Sequence, residues 1–574
     1  MAKKKETKKL WLVNSALTIA GGIGYLKLKI ASKNPKKTSA NTLRGILEYA
    51  KDTEYGKEHH FADVLAAKTD DELFLRWQQN VPVNDYEDLR PYINRHKKGE
   101  ADILFPGKPL MYATTSGTTT EPKWIPVTQT YMSNVYSKMT KVWLFNFIKN
   151  RPHVYEGPIL SVVGKAVEGY AEDGTVFGSV SGVTQRDCPG FIKAMYTNPS
   201  SVYTIPDYTA RYYALMRLSI EHDIHLIVTA NPSSVLEMQK SVDKWWDVMV
   251  DDIEKGTMTD QVTISPEIRA ELAPYMKPNP QRAAELRGLK AKYGRPLPKH
   301  YWPDIQILNT WKCGNTANYL EKMKGFYPDT MLHQEFGYFS SECRFGLVLD
   351  DTNNTVLFPH FHYYEFVPEE DVQDAGFLKD PSKLHFLQLN ELEKGKKYCP
   401  FVTTYAGMYR YCMNDLVEAS DKFVNTPTVF MIQKINGIVT MTGEKLHERQ
   451  FISAVKEAEK ELGLKSQFFI GFAHLESSTY HFYYEFVDQA VTQEQCDKFT
   501  ARVDEILRKE NIEYDAKRAS FRVNAPVGHR LVENSFDAFK ASRIAEGAND
   551  GQFKIVLLMQ NENLHDRFRK LVKE

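Results

Sequence analysis

The segment that decides the fold is MYATTSGTTTEPKWIPVT, residues Met111–Thr128. A short apolar run leads into a cluster of hydroxyl side chains around Gly117, and Lys123 follows them. Hydroxyl groups and free backbone N–H groups in a turn suit the oxygens of a triphosphate, and a glycine lets the backbone approach closely. The spacing of a Walker A loop is absent. The segment therefore predicts a strand followed by a phosphate-binding turn, with a solvated Ser/Thr-rich loop as the alternative.

The second segment with a chemical pattern is HQEFGYFSSE, residues His333–Glu342. Its last five positions, Tyr338 to Glu342, offer an aromatic ring, small hydroxyl groups and a carboxylate. The ring can stack on an adenine. Mg²⁺ bound to a nucleotide takes oxygen ligands and usually only one or two protein carboxylates. An ordinary strand end is the alternative for this segment.

The third segment is GMYRYCMNDLV, residues Gly407–Val417. Asp415 follows a turn, and a carboxylate in that place can accept both hydroxyl groups of a ribose. Asn414 tolerates the left-handed backbone conformation that suits such a turn. A surface Asx turn is the alternative.

In the same order, these segments resemble the motifs of the adenylate-forming superfamily, which includes acyl-CoA synthetases and luciferases. The first resembles [ST]-S-G-[ST]-T-G-x-P-K with Thr120 at the last glycine, and the third resembles Y-R-x-G-D with Asn414 at the glycine. The Y-x-S-S-E and G-x-Y-R-Y forms, with TEYG at Thr53–Gly56 and GEKL at Gly443–Leu446, resemble one branch. It is the auxin-responsive-promoter family of acyl-acid amido synthetases, known from plants and with bacterial relatives. The likeness runs from about residue 41 to 554.

The resemblance implies an α/β protein with a large N-terminal adenylation domain, built of buried β-sheets and flanking helices, and a small mobile C-terminal α+β domain. It implies ATP and Mg²⁺ as cofactors. A carboxylic acid is first activated as acyl-AMP, and the amine of an amino acid then takes the acyl group to form an amide. Two alternatives stay open: an acyl-CoA ligase with a thiol acceptor, and an inactive binding or scaffold relative, which the departures at Thr120, Asn414 and Lys434 allow.

The same resemblance implies roles for individual residues. Tyr338 would pack against adenine, Ser341 would contact the phosphate region and Glu342 would ligate Mg²⁺. Asp415 would hold the ribose. The residues expected to bind the phosphates in the first segment are Thr115, Ser116, Gly117, Thr118, Thr119 and Lys123.

Three lysines near and beyond the domain boundary are further candidates. Charge that builds on the α-phosphate must be met by Mg²⁺ and a lysine. Lys554 resembles the family's late Q-x-K lysine and Lys445 lies in the GEKL turn, so both are candidate catalytic residues. Lys434 stands near the hinge, where the family often has an arginine. It would keep the positive charge but lose the bidentate fork.

Length and texture predict the domain organisation. A chain of 574 residues is too long for one ordinary core. Apolar runs at Ile159–Val163 and Ile224–Thr229, with a helical pattern at Tyr208–Ile220 between them, predict an α/β domain with a buried sheet. The pattern of apolar and polar residues changes between Met431 and Gly437, where we place the domain boundary. The predicted division is residues 1–36 as an apolar and basic N-terminal segment with a linker, 37–432 as the large domain and 433–574 as the small domain.

The small domain is predicted to alternate helices and strands. Thr492 and Gln495 form a plausible capping box at the start of a helix that buries Cys496 and Phe499. An earlier helix is predicted from Phe451, Val455, Ala458 and Leu462, which fall on one helical face. The other predicted elements are strands at Gln467–Ala473, Tyr480–Val487, Ser520–Val523 and Lys554–Met559, and a helix near Phe536–Ala541.

Charge and cysteine usage restrict the partners. Acidic and basic side chains are equal in number, 73 each, which removes the electrostatic argument for a nucleic-acid partner. The six cysteines are scattered, without C-x-x-C pairs, which favours a reducing cytosol over a disulfide framework. The expected partners are a small carboxylic acid and an amino acid or CoA.

The N-terminus is the unusual stretch. Residues 10–26 carry no charge, and lysines flank them on both sides. Their length is at the lower limit for a bilayer span, and three glycines and several polar residues make them a poor one. We expect a helix that packs on the body of a cytoplasmic enzyme or lies on a membrane surface, followed by a polar linker over residues 31–40. A true span stays open as the alternative.

Overall fold

A computed structural model describes residues 2–115, 123–312, 320, 322–372, 377–435, 438–545 and 557–573. These residues form two compact units. The larger unit comprises residues 2–115 and the described part of 123–433, and the smaller comprises the described part of 434–573. None of the helices in this part of the chain combines the length and the hydropathy that a bilayer span requires.

The helices of the larger unit surround its sheets. A π-helical turn, Met132–Tyr136, lies between the seventh and eighth helices. The α-helices are α1 (Ala2–Ala31), α2 (Pro35–Ala50), α3 (Glu54–Glu58), α4 (Phe61–Leu65), α5 (Asp70–Asn80), α6 (Tyr86–Lys97), α7 (Gln129–Tyr131), α8 (Ser137–Asn150), α9 (Val180–Asp187), α10 (Gly190–Lys193), α11 (Tyr208–Ser219), α12 (Ser233–Lys255), α13 (Pro266–Leu272), α14 (Pro280–Tyr293) and α15 (Pro298–Tyr301).

The first sheet brackets the predicted phosphate loop. Its strands are β1 (Met111–Thr115), β2 (Lys123–Val127), β4 (Gly169–Tyr170) and β5 (Val176–Gly178), in the order β2-β1-β5-β4. β1 and β2 are antiparallel, and Thr115 pairs with Lys123. The two ends of the loop are therefore held side by side, and the predicted strand before the loop is confirmed.

The second sheet is parallel and buried. Its strands, in the order of the sheet, are β3 (Ile159–Val162), β6 (Leu226–Thr229), β7 (Ile307–Thr310) and β8 (Leu332–Glu335). The strands predicted from two apolar runs are β3 and β6, and the helix predicted between them is α11. The α/β prediction is confirmed. Apolar residues continue along these strands because helices cover a parallel sheet.

The third sheet has eight strands and contains the third motif. Its strands are β9 (Gly346–Val348), β10 (Thr355–Leu357), β11 (Tyr363–Pro368), β12 (Leu387–Gln388), β13 (Lys397–Thr403), β14 (Tyr411–Cys412), β15 (Asp415–Phe423) and β16 (Thr426–Lys434). β13 is antiparallel to both β14 and β15. Asp415 is thus the first residue of a strand, directly after the motif's turn.

The predicted linker over residues 31–40 is wrong beyond Asn34. The side chain of Asn34 accepts a hydrogen bond from the Lys37 backbone at 3.1 Å, and Pro35 is the first residue of α2. An N-cap asparagine followed by proline is a helix-start signal, so α2 begins within the polar stretch. The predicted packing of the N-terminal helix is confirmed for α1 against α8: a Cβ at Gly21 would lie 2.3 Å from the Lys141 carbonyl oxygen.

The smaller unit is an α+β sandwich of one four-stranded sheet and helices. The strands β17 (Ile438–Val439) and β18 (Leu446–His447) form a separate antiparallel pair. The four-stranded sheet consists of β19 (Ser466–His474), β20 (Thr479–Phe486), β21 (Val527–Arg530) and β22 (Leu558–Met559), in the order β21-β20-β19-β22. The α-helices of this unit are α16 (Glu448–Leu462), α17 (Gln493–Glu510), α18 (Ile512–Ala519), α19 (Ser535–Ala545) and α20 (Glu562–Arg569). The predicted capping box at Thr492 is present.

The predicted strand Ser520–Val523 is wrong. Phe521 has a left-handed φ of 57°, and the backbone N–H groups of Arg522 and Val523 donate to the Lys517 carbonyl. This turn closes α18, buries Val523 and leaves Phe521 63% exposed. Leu462 is also 44% exposed rather than buried, because it is the last residue of α16.

Candidate functional site

The first two motifs meet at a cavity of about 150 Å³ in the larger unit. The cavity is lined by Thr114 at the end of β1, by residues of β2 and the start of α9, and by the turn Phe339–Glu342. Tyr131 and Tyr136, at either end of the π-helical turn, complete one wall. π-turns within helices are frequent at functional sites, because they alter the direction of the side chains.

A tight turn presents the second motif to this cavity. Gly337 has φ +97°, and a Cβ there would lie 2.9 Å from the Gly346 carbonyl oxygen, so glycine is required. The Ser340 and Cys343 backbones then close the turn through a 3.1 Å hydrogen bond. Ser341 and Glu342 lie at its tip, half-buried, and both line the cavity. A carboxylate beside a hydroxyl group offers the hard oxygen donors that Mg²⁺ takes.

The second and third motifs are joined by a direct hydrogen bond. The Tyr338 hydroxyl donates to Oδ2 of Asp415 at 2.5 Å, and both side chains are buried. Burial, with the Asp415 charge next, raises the pKa of Tyr338, so the phenol stays a neutral donor. The Tyr338 ring packs against Phe345, with ring centroids 4.4 Å apart. The bond fixes the direction of the Asp415 carboxylate.

The turn before Asp415 is held in a strained conformation. Gly407, Arg410 and Asn414 have left-handed φ values of 83°, 41° and 52°. The left-handed Asn414 that the sequence predicts is confirmed. Arg410 is held in place because its Nε donates to the buried Glu365 carboxylate at 3.0 Å. Strain of this kind persists only where the surroundings over-determine it.

Lys123 connects the first motif with the third. Its Nζ lies 3.5 Å from the Tyr411 hydroxyl and 5.6 Å from the centre of the Tyr86 ring. Burial, followed by the Glu342 charge, raises the pKa of Tyr411. Lys123, Glu342 and Asp415 therefore belong to one neighbourhood, although the sequence separates the first and last by almost 300 positions. This arrangement brings one cation and two carboxylates together in one region of the larger unit.

The TEYG segment supports this neighbourhood from outside. The Tyr55 ring stacks on Tyr409 with centroids 4.9 Å apart, and its hydroxyl accepts from Asn84 at 3.0 Å. The Asn84 carbonyl in turn accepts from the Cys412 backbone at 2.8 Å. Residues far upstream thus brace both sides of the third motif.

Several predicted residues lie outside the described ranges or are only partly described. Ser116, Gly117, Thr118, Thr119 and Lys554 lie outside them. Of Thr115 and Lys434 only the backbone is described, as the last residues of β1 and β16.

Lys445 lies in a turn of the smaller unit that Glu444 organises. The buried Glu444 carboxylate accepts from the Met441 and Thr442 backbones, both at 2.7 Å, and from the Tyr480 hydroxyl at 2.6 Å. Lys445 itself has a left-handed φ of 45° and a half-buried side chain. The turn holds Lys445 at a defined position on its unit.

Three residues of this region were not predicted from the sequence. Arg344 and Glu168 lie on the cavity wall, and Glu365 accepts a hydrogen bond from Arg410. Glu365 could have been predicted, because it is the charged residue within the apolar run YYEFVP. For Arg344 and Glu168 no local pattern distinguishes a cavity residue from a surface charge. The histidines form no group of three or more with other ligand side chains that could hold a metal within the described residues.

Models of one protein family match most of the chain. The GH3 family N-terminal domain matches residues 25–332, the GH3 family central domain matches 355–434 and the GH3 family C-terminal domain matches 449–563. The first match alone covers more than half of the chain.

Individual relatives are distant but span almost the full length. The chain is 24% identical to the 4-substituted benzoates-glutamate ligase GH3.12 of Arabidopsis thaliana, over 92% of this chain and 93% of that protein. It is 23% identical to the indole-3-acetic acid-amido synthetase GH3.3 of the same plant, over 91% and 92%. The solved structure of GH3.15 acyl acid amido synthetase covers 95% of both chains with a TM-score of 0.62 and 21% identity. At that identity the structural likeness shows the fold.

Proposed function

Because this chain belongs to the GH3 family, whose relatives include acyl acid amido synthetases, we propose that it is an adenylate-forming acid–amino acid ligase. It activates a carboxylic acid as an acyl adenylate and transfers the acyl group to the amine of an amino acid. The observation that carries this proposal is the grouping of three features in the larger unit: Lys123 beside Tyr411 of the third motif, the Tyr338–Asp415 hydrogen bond, and Glu342 on the cavity wall.

ATP would lie with its phosphates toward β1 and β2 and its ribose toward Asp415. The Tyr338 hydroxyl orients the Asp415 carboxylate, which can then accept from both ribose hydroxyls. Lys123 supplies a positive charge at the end of β2. Glu342, with Ser341 beside it, would hold Mg²⁺, which when bound neutralises charge on the phosphates.

In the first step a carboxylate oxygen of the acid attacks the α-phosphorus. A phosphorus–oxygen bond forms, and the bond to pyrophosphate breaks with its electron pair going to pyrophosphate. In the second step the neutral amine attacks the acyl carbon: a carbon–nitrogen bond forms, the carbon–oxygen bond to AMP breaks with its electron pair going to AMP, and the nitrogen loses a proton to solvent. By resemblance to the family's motifs, Lys445 and Lys554 are the lysines proposed to meet charge on the α-phosphate. Lys434 is the proposed counterpart of the arginine that the family often has near its hinge.

Pyrophosphate exchange into ATP tests the first step. A panel of acids should include some that support exchange of labelled pyrophosphate. Glu342→Gln should reduce that exchange by at least about 100-fold, the cost of removing a preorganised charge at a transition state. Glu370→Gln, an exposed carboxylate in the larger unit, is the matched control and should leave it unchanged. No exchange with any acid would favour an inactive binding relative.

The identity of the product shows which molecule accepts the acyl group. With an exchange-competent acid, incubation with amino acids and with CoA should give an amide and not a thioester by mass spectrometry. A thioester as the main product would instead assign an acyl-CoA ligase.

The exposed face of α1 supports contact with a membrane surface. Its apolar side chains at helical spacing are between 53% and 66% exposed: Ile19, Ile23, Leu26 and Ile30. Lys27 and Lys29 are exposed on the two flanks of this stripe. An apolar stripe between lysines fits the boundary of an anionic bilayer, where the side chains enter the headgroup region and the lysines meet phosphates.

Sedimentation with vesicles tests this contact. Phosphatidylserine-containing vesicles should bind the full chain, and the double variant Ile23→Glu, Leu26→Glu should bind at least about tenfold less. Leu75→Glu, an exposed leucine on α5, is the control and should bind normally. Absence of wild-type binding, or equal binding of the double variant, would remove the proposal.

A further inference from the structure

Arg344 is a buried cation on the wall of the cavity. Its side chain is 2% exposed, and it pairs across the tight turn with Phe339, so it lies directly behind Ser341 and Glu342. Its backbone is fixed from two sides. The N–H group donates to the Tyr131 hydroxyl at 2.9 Å, and the carbonyl contacts Nε2 of His362 at 3.1 Å. The guanidinium position is therefore set by the fold.

The surroundings of the guanidinium are aromatic. Its central carbon lies 5.4 Å from the ring centre of Tyr136, 5.0 Å from Trp143 and 5.5 Å from Phe339. Nη1 donates to the Thr140 hydroxyl at 2.8 Å. Nε is buried and makes no hydrogen bond to any residue that the structure describes. Aromatic faces attract a cation, but they do not replace a carboxylate.

Glu168 and Glu342 line the same cavity as Arg344, but no carboxylate of the described part of the chain forms an ion pair with it. Two other buried arginines of the larger unit do have such partners. Arg217 pairs with Glu221 at 2.6 Å, and Arg410 pairs with Glu365 at 3.0 Å. A buried charge without a partner is costly, and an arginine cannot lose its proton as other bases do. The positive charge of Arg344 thus has no carboxylate partner among the described residues, and an anion in the cavity would supply one.

The volume of the cavity restricts that anion. A cavity of about 150 Å³ is comparable with the engineered apolar cavity of similar volume that binds benzene. It admits a single ring or a short aliphatic chain. The aromatic walls suit the apolar body of such a ligand, and the Arg344 guanidinium on the cavity wall would meet its charged end.

We propose that Arg344 is the specificity-determining residue of the acid pocket, where it forms an ion pair with a carboxylate of a compact acid, either a single-ring aromatic acid or a short aliphatic one. This assignment rests on the proposed ligase function. The carboxylate is either the one that reacts or a second one on the same acid, because both present the same chemistry to the guanidinium.

Binding without turnover is the first test. Calorimetry with benzoate and hexanoate, in the absence of ATP, should give a dissociation constant at least about 30-fold higher for Arg344→Gln than for the wild type, since one partner of a desolvated charge pair is lost. Arg344→Lys should lie between them, because it keeps the charge without the fork. Arg217→Gln removes a buried arginine away from the cavity and should leave acid binding unchanged.

Kinetics then separate this inference from the function itself. In pyrophosphate exchange, Arg344→Gln should raise the KM for the acid and leave the KM for ATP within about twofold. If exchange occurs and the KM for the acid does not change, the inference about Arg344 is wrong and the ligase function stands. If acids bind in an Arg344-dependent way and no exchange occurs, the ligase function fails and the binding site stands.

A pair of acids identifies which carboxylate Arg344 contacts. Hexanoate and adipate share a chain length and differ in the second carboxylate. An equal rise of the KM for both acids in Arg344→Gln assigns the reacting carboxylate. A rise for adipate alone assigns the second carboxylate and a dicarboxylic acid as substrate. Unchanged KM values for both acids overturn the assignment.

Discussion

Arg410 and Arg344 are buried arginines of the same unit, and their surroundings differ in one respect. Arg410 donates to the Glu365 carboxylate and to the backbone carbonyls of Gln78 and Val81. Arg344 has aromatic rings and one hydroxyl group. The fold supplies Arg410 with a carboxylate partner, although its Nη2 has no hydrogen-bond partner among the described residues, whereas Arg344 has no carboxylate partner there. Pairing, rather than burial, therefore distinguishes a structural cation from a binding one.

Breaking the pair at Arg410 should have the largest effect. Arg410→Met leaves Glu365 buried without its cation and should lower the free energy of unfolding of the larger unit by about 3–5 kcal/mol, measured by urea denaturation. Replacing Glu365 by Gln in the same chain should recover part of that loss, because the uncompensated charge is gone. A loss below about 1 kcal/mol from Arg410→Met would contradict a structural role.

Tyr338→Phe should have an intermediate effect. It removes the donor to Asp415, so we expect a loss of about 1–2 kcal/mol in unfolding free energy and a rise of roughly tenfold in the KM for ATP. Tyr364→Phe is the matched control, since the Tyr364 hydroxyl bonds to the Phe345 carbonyl at 2.6 Å. It should lower stability and leave the KM for ATP unchanged. The same KM change in both variants would show that Tyr338 has no special link to the nucleotide.

A cluster of histidines in the smaller unit differs from the buried arginines, because a buried histidine can lose its proton and stay neutral. Nδ1 of His481 lies 2.9 Å from Nε2 of His529, and His565 and His474 pack beside them. Burial, and then the neighbouring histidines, lower the pKa of His481 to about 3. Burial and the Arg569 charge lower the pKa values of His529 and His565 to about 4.

Acid should therefore weaken the smaller unit. Between pH 6.5 and about 4 the unfolded histidines bind protons that the folded ones do not, so stability falls as the pH falls. We expect a loss of about 1 kcal/mol per histidine for each pH unit, reduced by solvent screening of the half-exposed members. Thermal unfolding at pH 7.5, 6 and 5 measures it, and His529→Asn should give a shallower slope. A flat profile in the wild type would exclude the cluster as the cause.

Arg344→Met should have the smallest effect on stability. An unpaired charge is replaced by an apolar side chain of similar length, so the free energy of unfolding should change by less than about 1 kcal/mol or increase. Denaturation beside Arg410→Met tests this directly. A loss of the same size in both variants would make Arg344 a structural residue and would remove the contrast between the two arginines.

Local patterns predicted most of the secondary structure and the family. Periodicity located β3, β6, α11 and the capping box of α17, because helix and strand patterns depend on residues close in sequence. It failed at Ser520–Val523, where the apolar residues belong to a turn at the end of a helix. It also failed at Asn34, where an N-cap residue followed by proline starts α2 within a polar stretch. Both errors concern short segments, and each has a physical cause in the structure.

By itself, the sequence determined the family, the order of the three motifs and the residue types that carry the chemistry, because each motif is a short continuous pattern. Only the tertiary structure decided which distant residues meet. The Tyr338–Asp415 bond joins positions 77 apart, and the Arg410–Glu365 pair joins positions 45 apart. That Arg344 is buried on the wall of a cavity, with no carboxylate at ion-pair distance among the described residues, follows from the packing of a π-helical turn against a hairpin turn. Burial and pairing are properties of surroundings brought together by folding, which no local pattern encodes.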